Sequence, residues 1–196
     1  MFEQQRETCR EYEDFLDDLR ELQSEGMGDV LDTSGFDNFD VSTATAQQKG
    51  NFGEYLADDN LLNNQAIKDK GYDLKSIGRE VPTSIDAPTV HGIDGLYENI
   101  NTGSSTKYII DEAKFGSSKL SNTLDGLQMS DDWLLGNITG NNRILDAVNG
   151  DEKLAEQIID ALGNGEIEKI LSKIDANGVV KTFLLDVAGK VIGPWP

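Results

Sequence analysis

Asp94 lies between Ile93 and Gly95 in the run His91-Gly92-Ile93-Asp94-Gly95-Leu96-Tyr97, and Glu112 and Lys114 close a second apolar run, Tyr108-Ile109-Ile110-Asp111-Glu112-Ala113-Lys114. Side chains alternate across a strand, so Glu112 and Lys114 share a face and Asp111 takes the other. On neighbouring strands, Asp94 and Glu112 would supply two oxygen ligands for a hard divalent cation, with an ammonium beside them. That combination suits metal-assisted cleavage of a phosphodiester bond. Glu-x-Lys alone is weak evidence, because such triplets are common. Asp94 strengthens it, since an unpaired carboxylate inside an apolar strand is costly. Gly92 and Gly95 leave room there for a ligand or another backbone. A turn aspartate in Asp-Gly is the plain alternative, although Leu96 and Tyr97 continue the strand.

Glu54 stands in Gly50-Asn51-Phe52-Gly53-Glu54, at the start of an expected helix. A first-turn carboxylate is explained by the helix dipole alone. It could equally be a third acid supporting the metal or its water, and the residues leave both readings open.

The elements that must position these groups read as a mixed α/β domain. Phe52, Tyr55, Leu56, Leu61 and Leu62 predict a first helix over residues 51–68, ended by Lys70-Gly71. Short strands are expected near 72–78, 92–98 and 107–114. A helical region follows near 130–148, then a clear helix over 151–162 closed by Gly163. Residues 167–174 and 179–185 flank Ala176-Asn177-Gly178, a good hairpin signal. Further upstream, Tyr12, Phe15, Leu16, Leu19 and Leu22 recur at helical spacing. They predict an acidic amphipathic helix over residues 3–24, stopped by Gly26-Met27-Gly28. Residues 33–48 are polar and aperiodic and read as a linker. The division is therefore a connector over 1–48 and a folded domain over 49–196.

With 196 residues, 37% of them hydrophobic and 27% charged, the chain can bury a core. Its formal charge of −19 argues against a general basic clamp for nucleic acid. The acids are uneven, however. Residues 1–48 hold thirteen acids against three arginines, whereas residues 64–121, which carry the candidate site, hold eight acids against seven bases. A bound divalent cation would reverse the local sign, and distant acids are screened beyond ~8 Å at physiological salt. Weak, salt-sensitive DNA binding is the expectation. One cysteine, Cys9, permits no internal disulfide. The N-terminus has no apolar signal-peptide core, and no run approaches the ~18 apolar residues of a membrane span. The opening residues read like a fragment of something larger.

Other chemistries find little support. His91 is the single histidine, and one Cys with one His makes a zinc site or an HNH nuclease implausible. A His91–Asp94 base pair is conceivable, but a His-Gly turn before a strand explains it more simply. Asp175-Ala176-Asn177-Gly178 begins like a calcium loop, yet Val179 and Val180 fall where a ligand and the required glycine belong. No P-loop is present.

Four stretches together resemble a known group: Gly50-Asn51-Phe52-Gly53-Glu54, His91 to Tyr97, Ile110-Asp111-Glu112-Ala113-Lys114-Phe115-Gly116-Ser117, and Asp125-Gly126-Leu127-Gln128-Met129-Ser130-Asp131-Asp132-Trp133. They are similar, in consistent order over residues 49–190, to the C-terminal nuclease domains of bacterial polymorphic toxins. These are the DNase domains behind LXG-type export modules, with relatives in contact-dependent inhibition systems, in the PD-(D/E)XK or restriction-endonuclease-like superfamily. Ile93 stands where the superfamily's name has proline, a frequent departure. The resemblance implies a central mixed sheet flanked by helices. It implies that Asp94, Glu112 and the Ala113 carbonyl bind Mg²⁺ or Mn²⁺. Lys114 would orient the water or steady the transition state, Glu54 would support the site, Gln128 would sit near the same centre, and Ser130 could contact phosphate. It further implies a secreted toxin acting in the cytoplasm of a target cell, an upstream delivery module, and a cognate immunity protein. Against −19, that partner would carry a basic surface. An RNase on the same fold, or a non-enzymatic acidic binding module mimicking DNA, are the alternatives. The intact Asp94, Glu112 and Lys114 set speaks against the mimic, which needs no lysine there.

Overall fold

The structure, a computed structural model, describes residues 35, 36 and 39–196. The acidic helix expected over 3–24 and its glycine stop lie outside the described residues. Helix α1 runs Ala46–Asn63 and opens with a capping box: Thr45 Oγ1 accepts from the Gln48 N–H at 3.2 Å, and Gln48 Oε1 accepts from the Thr45 N–H at 2.9 Å. It therefore begins five residues before its expected start. At its other end Asn64 takes an extended conformation and its side chain caps a separate short helix, α2 (Gln65–Asp69). Asparagine competes for backbone groups in this way, so one expected helix becomes two.

Eight strands follow: β1 (Leu74–Ser76), β2 (Gly95–Asn99), β3 (Tyr108–Phe115), β4 (Asn122–Thr123), β5 (Gly126–Leu127), β6 (Ile167–Ile174), β7 (Val180–Leu185) and β8 (Val191–Pro194). Six of them form one mixed sheet in the order β1-β2-β3-β6-β7-β8, and β4 and β5 make a separate small hairpin. Every pairing in the large sheet is antiparallel except β3 with β6. A parallel pair needs a long crossover. Here it contains the β4–β5 hairpin and three helices, α3 (Asp131–Leu135), α4 (Arg143–Ala147) and α5 (Glu152–Gly163).

The sheet is covered on both sides, as a parallel centre requires. On one face Ile109, Ile170 and Ile174 meet Leu61, Phe52 and Tyr55 of α1. On the other, Leu96, Ile110, Leu171 and Leu185 meet Met129, Trp133, Leu134, Ile144 and Ile158 from the crossover. The fold is thus a mixed α/β architecture with a six-stranded sheet flanked by helices.

Several expectations change in detail. The helical region expected over 130–148 is two short helices, because Gly136 turns left-handed at φ +65° and Asn142 starts a new helix by capping Ile144 and Leu145. The stretch expected as linker over 33–48 includes core positions: Phe36 and Phe39 are buried, and Phe39 stacks on Phe52 with ring centroids 4.0 Å apart. Their polar neighbours conceal them. The β6–β7 hairpin forms as expected, with Gly178 at φ +79° and the Asp175 carboxylate accepting from the Asn177 and Val179 N–H groups. Strands β4, β5 and β8 have no clear sequence signature. Among the described residues no helix is long and apolar enough to cross a membrane.

Candidate active site

Asp94 stands one residue before β2 rather than inside a strand, at the end of an irregular segment that returns from β1. Gly95 pairs with Asp111 across the β2–β3 ladder, which carries Asp94 to the level of Glu112. By alternation, Asp94, Leu96, Glu112 and Lys114 all lie on the crossover face of the sheet. Gly95 is needed where it stands, since a Cβ there would meet the Tyr97 hydroxyl at 2.6 Å.

The carboxylates form a connected cluster. Asp94 Oδ2 accepts from the Ala113 N–H at 3.0 Å, and Asp94 Oδ1 accepts from Arg79 Nη2 at 3.2 Å. The same Arg79 nitrogen donates to Glu54 Oε2 at 2.7 Å, and Arg79 Nε donates to the Ile93 carbonyl at 3.0 Å. Glu112 Oε1 accepts from Lys114 Nζ and, at 2.5 Å, from Gln128 Nε2. Its Oε2 is buried and accepts no hydrogen bond among the described residues. The Asp94 charge acts directly on Glu112 and raises its pKa.

Three acids are gathered against two cations, and the titration behaviour follows. Burial is the main cause raising Glu112 well above its ordinary value, and the Asp94 charge adds to it. Burial likewise raises Asp94, against the opposing pull of Lys114, the Ala113 N–H and Arg79. Glu54 is pushed up to about 7 by burial and by Asp94, against Arg79. A site that holds carboxylates this far from water has a deficit of positive charge.

These groups open into a cleft of about 580 Å³. Glu54, Asp94, Glu112, Ala113, Lys114 and Gln128 all line it, so the structure brings these six residues together. Ser130 is not among the lining residues. Its hydroxyl accepts from the Trp133 N–H at 3.2 Å as the N-cap of α3. His91 lies exposed on the cleft wall, with Gly92 at φ +127° beside it, in keeping with the turn reading. Arg79 was not foreseen. It comes from the aperiodic loop after β1, and no pattern separates it from any exposed arginine.

The residues present fit a hard divalent cation. Glu112 Oε2 is a buried acceptor with no hydrogen-bond partner among the described residues, and the strand register places Asp94 at the level of Glu112. A strand residue projects its N–H and C=O to the same edge, so the Ala113 carbonyl is directed to the Asp94 side. Among the described residues no group of three or more Asp, Glu, His or Cys is placed to hold an ion. Two carboxylates, one carbonyl and solvent or phosphate oxygens are, however, a sufficient set for Mg²⁺.

Asp111, on the opposite face, has its own balance. It is buried beneath α1 and accepts from Ser172 Oγ at 2.8 Å. Burial raises it to about 8, against the Ser172 hydrogen bond. A raised carboxylate means that folding takes up a proton, so stability falls as pH rises from about 4 to about 8. Asp111→Asn is expected to flatten this fall, which is at most about 1.4 kcal/mol per pH unit for one group. Urea unfolding between pH 5 and 9 checks it; parallel curves for variant and wild type would refute the assignment.

Comparison with protein-family models, curated proteins and solved structures returns no match to the chain. The site therefore rests on its own geometry.

Proposed function

We propose that the chain is a metal-dependent endonuclease, a DNase of the PD-(D/E)XK type, acting as the toxic domain of a secreted interbacterial polymorphic toxin. The observation that carries the chemistry is the convergence of Asp94, Glu112, Lys114 and Gln128 in one cleft, with Glu112 Oε2 unpartnered. The toxin assignment is supported by the order of the four motifs alone.

Asp94, Glu112 and the Ala113 carbonyl would hold Mg²⁺ or Mn²⁺. Such an ion, when bound, supplies positive charge to the phosphate oxygens and favours deprotonation of a water. The protein's own groups do the rest. Lys114 is tethered by Glu112 and has protons to donate to a non-bridging phosphate oxygen or to the attacking water. Gln128 holds the Glu112 carboxylate in place, and its own Oε1 accepts from the Ser121 N–H at 3.3 Å. Arg79 fixes Asp94 and links it to Glu54, which supports the site from α1. Cleavage joins the water oxygen to phosphorus as the bond to one sugar oxygen breaks, the water giving up a proton to solvent and the departing oxygen taking one from solvent.

Purified protein is expected to degrade plasmid DNA with Mg²⁺ and to lose that activity completely in EDTA. Total RNA is assayed in parallel, because an RNase would use the same groups. Intact DNA and RNA with Mg²⁺ or Mn²⁺ would sink both enzyme readings and leave the acidic binding module. A cognate immunity protein, with Lys and Arg on its binding surface, belongs to the same proposal, as does delivery by an upstream module into the target cytoplasm.

A further inference from the structure

Beyond the carboxylates, the sheet carries an arrangement that folding disfavours. Lys114 of β3 lies in register with Lys173 of β6, and Lys173 with Lys181 of β7. Residues in register share a face, so three lysines form one row across the sheet at the ~4.8 Å spacing of neighbouring strands. Like charges placed directly opposite destabilise a pairing. Lys119, from the β3–β4 connection, adds to the crowding: burial together with Lys114 and Lys119 lowers the Lys173 ammonium from its ordinary value. Lys173 Nζ donates to the Ser118 carbonyl at 2.5 Å, which ties the row to the cleft wall formed by Ser117, Ser118 and Lys119.

Among the described residues no acid forms an ion pair with the outer part of this row. Among the described residues Lys114 pairs with Glu112, but Lys119, Lys173 and Lys181 form no ion pair. The acid nearest Lys173 in sequence, Asp175, is occupied by the turn that it closes. Among the described residues the fold thus keeps cations without ion pairs in a row that runs from Lys114 in the cleft outward across the sheet.

We propose that Lys119, Lys173 and Lys181 form a phosphate track, and that the substrate is a polynucleotide strand laid across the ends of β3, β6 and β7, reaching the acid pair from the β7 side. This rests on the nuclease reading and deepens it, because it names the residues that would carry the strand and the direction from which it reaches the acids. Ammonium groups at this spacing read the repeating backbone charge and carry no base information, so DNA and RNA strands are both accommodated.

The test is fluorescence anisotropy of a single-stranded DNA oligonucleotide, and of its RNA counterpart, with Ca²⁺ replacing Mg²⁺ and salt varied. Each lost contact to a single strand reduces the slope of log affinity against log salt by about 0.7. The double variant Lys173→Gln/Lys181→Gln is expected to lower the slope by about 1.4 and to bind about tenfold more weakly near 0.1 M salt. Lys119→Gln should lower the slope by about 0.7. Lys153→Gln on α5 makes the same charge change away from the cleft and serves as control; it should match the wild type. Because the double variant removes opposed like charges, it should melt no lower than the wild type, so lost binding cannot be put down to unfolding. An unchanged slope in the double variant, or an equal change in Lys153→Gln, overturns the track. The two readings separate cleanly. A chain that cuts nothing yet loses oligonucleotide binding in the double variant keeps the track and drops the chemistry. An active nuclease with an unchanged slope does the reverse.

Discussion

Glu112→Gln is expected to lower metal-dependent plasmid cleavage by about a thousandfold, equivalent to about 4 kcal/mol of lost transition-state stabilisation, while making the metal-free protein more stable. The two effects have one cause. Glu112 is a buried carboxylate with one oxygen, Oε2, lacking any hydrogen bond among the described residues, and its pKa is raised chiefly by burial. An amide is nearly the same shape. Its oxygen can go on accepting from Gln128 and Lys114, and its nitrogen can donate toward Asp94. The cost of an unsatisfied buried group, about 1–3 kcal/mol, is thereby relieved. What is lost is the charge that would hold the cation. The sign in pH follows from the raised pKa: the wild type loses stability as pH rises through the folded value, and the variant lacks the Glu112 share of that loss while keeping the share of the other raised acids. The gain should therefore be largest at alkaline pH in EDTA and should fade toward pH 4. Addition of Mg²⁺ should stabilise the wild type, since it binds only the folded form, and should stabilise the variant far less. Cleavage assays and urea melts on the same preparations check both halves. Activity within tenfold of wild type would remove Glu112 from the reaction. Lost activity together with lost stability would make it a structural residue.

Local alternation explains why this part of the site was legible from sequence. Asp94, Glu112 and Lys114 can be assigned to one face by counting along two short strands, and the structure puts Asp94 only one residue outside β2. Helix α5 and the β6–β7 hairpin were legible for a similar reason, since their periodicity and turn residues are contained within a short window. What was not legible depends on distant pairing. The lysine row exists because β3 runs parallel to β6, a partnership that crosses three helices. Nothing in the spacing of Lys114, Lys173 and Lys181 announces it. Strand β8 was hidden because Val191-Ile192-Gly193-Pro194 is short and ends in proline, which a strand tolerates only at an edge. Phe36 and Phe39 were hidden by the polar residues around them. Ser130 shows the other side of local reading: the Ser130-Asp131-Asp132-Trp133 stretch also carries a helix start, where the serine hydroxyl caps the Trp133 N–H.

Arg79 is where the sequence was silent and the expected effect is again large. Arg79→Met is expected to destabilise the metal-free protein by about 3 kcal/mol at pH 8, within the range seen when one partner of a buried ion pair is removed. The Arg79 side chain, 13% exposed, serves Glu54 and Asp94 from a single nitrogen, and those side chains are 15% and 13% exposed. Methionine keeps most of the apolar stem volume, so the loss reports the charge and its hydrogen bonds rather than a cavity. Without it two carboxylates face each other with Lys114 as the remaining nearby cation. Their pKa values, already raised, must rise further. Glu54, now at about 7, would hold its proton through neutral pH. The sign is fixed by that direction: the variant's deficit is full above the folded pKa values and shrinks as pH falls and both acids take up protons. At pH 5 the two proteins should differ by about 1 kcal/mol or less, on the scale of the Ile93 carbonyl hydrogen bond that remains lost. Saturating Mg²⁺ at pH 8 should recover part of the deficit, because a cation beside Asp94 replaces positive charge that the arginine supplied. Chemical denaturation at pH 5 and pH 8, with Mg²⁺ and with EDTA, reads all four corners. A deficit that is equal at both pH values and indifferent to Mg²⁺ would mean that Arg79 acts by packing, and the acid cluster would then need no external charge to be complete.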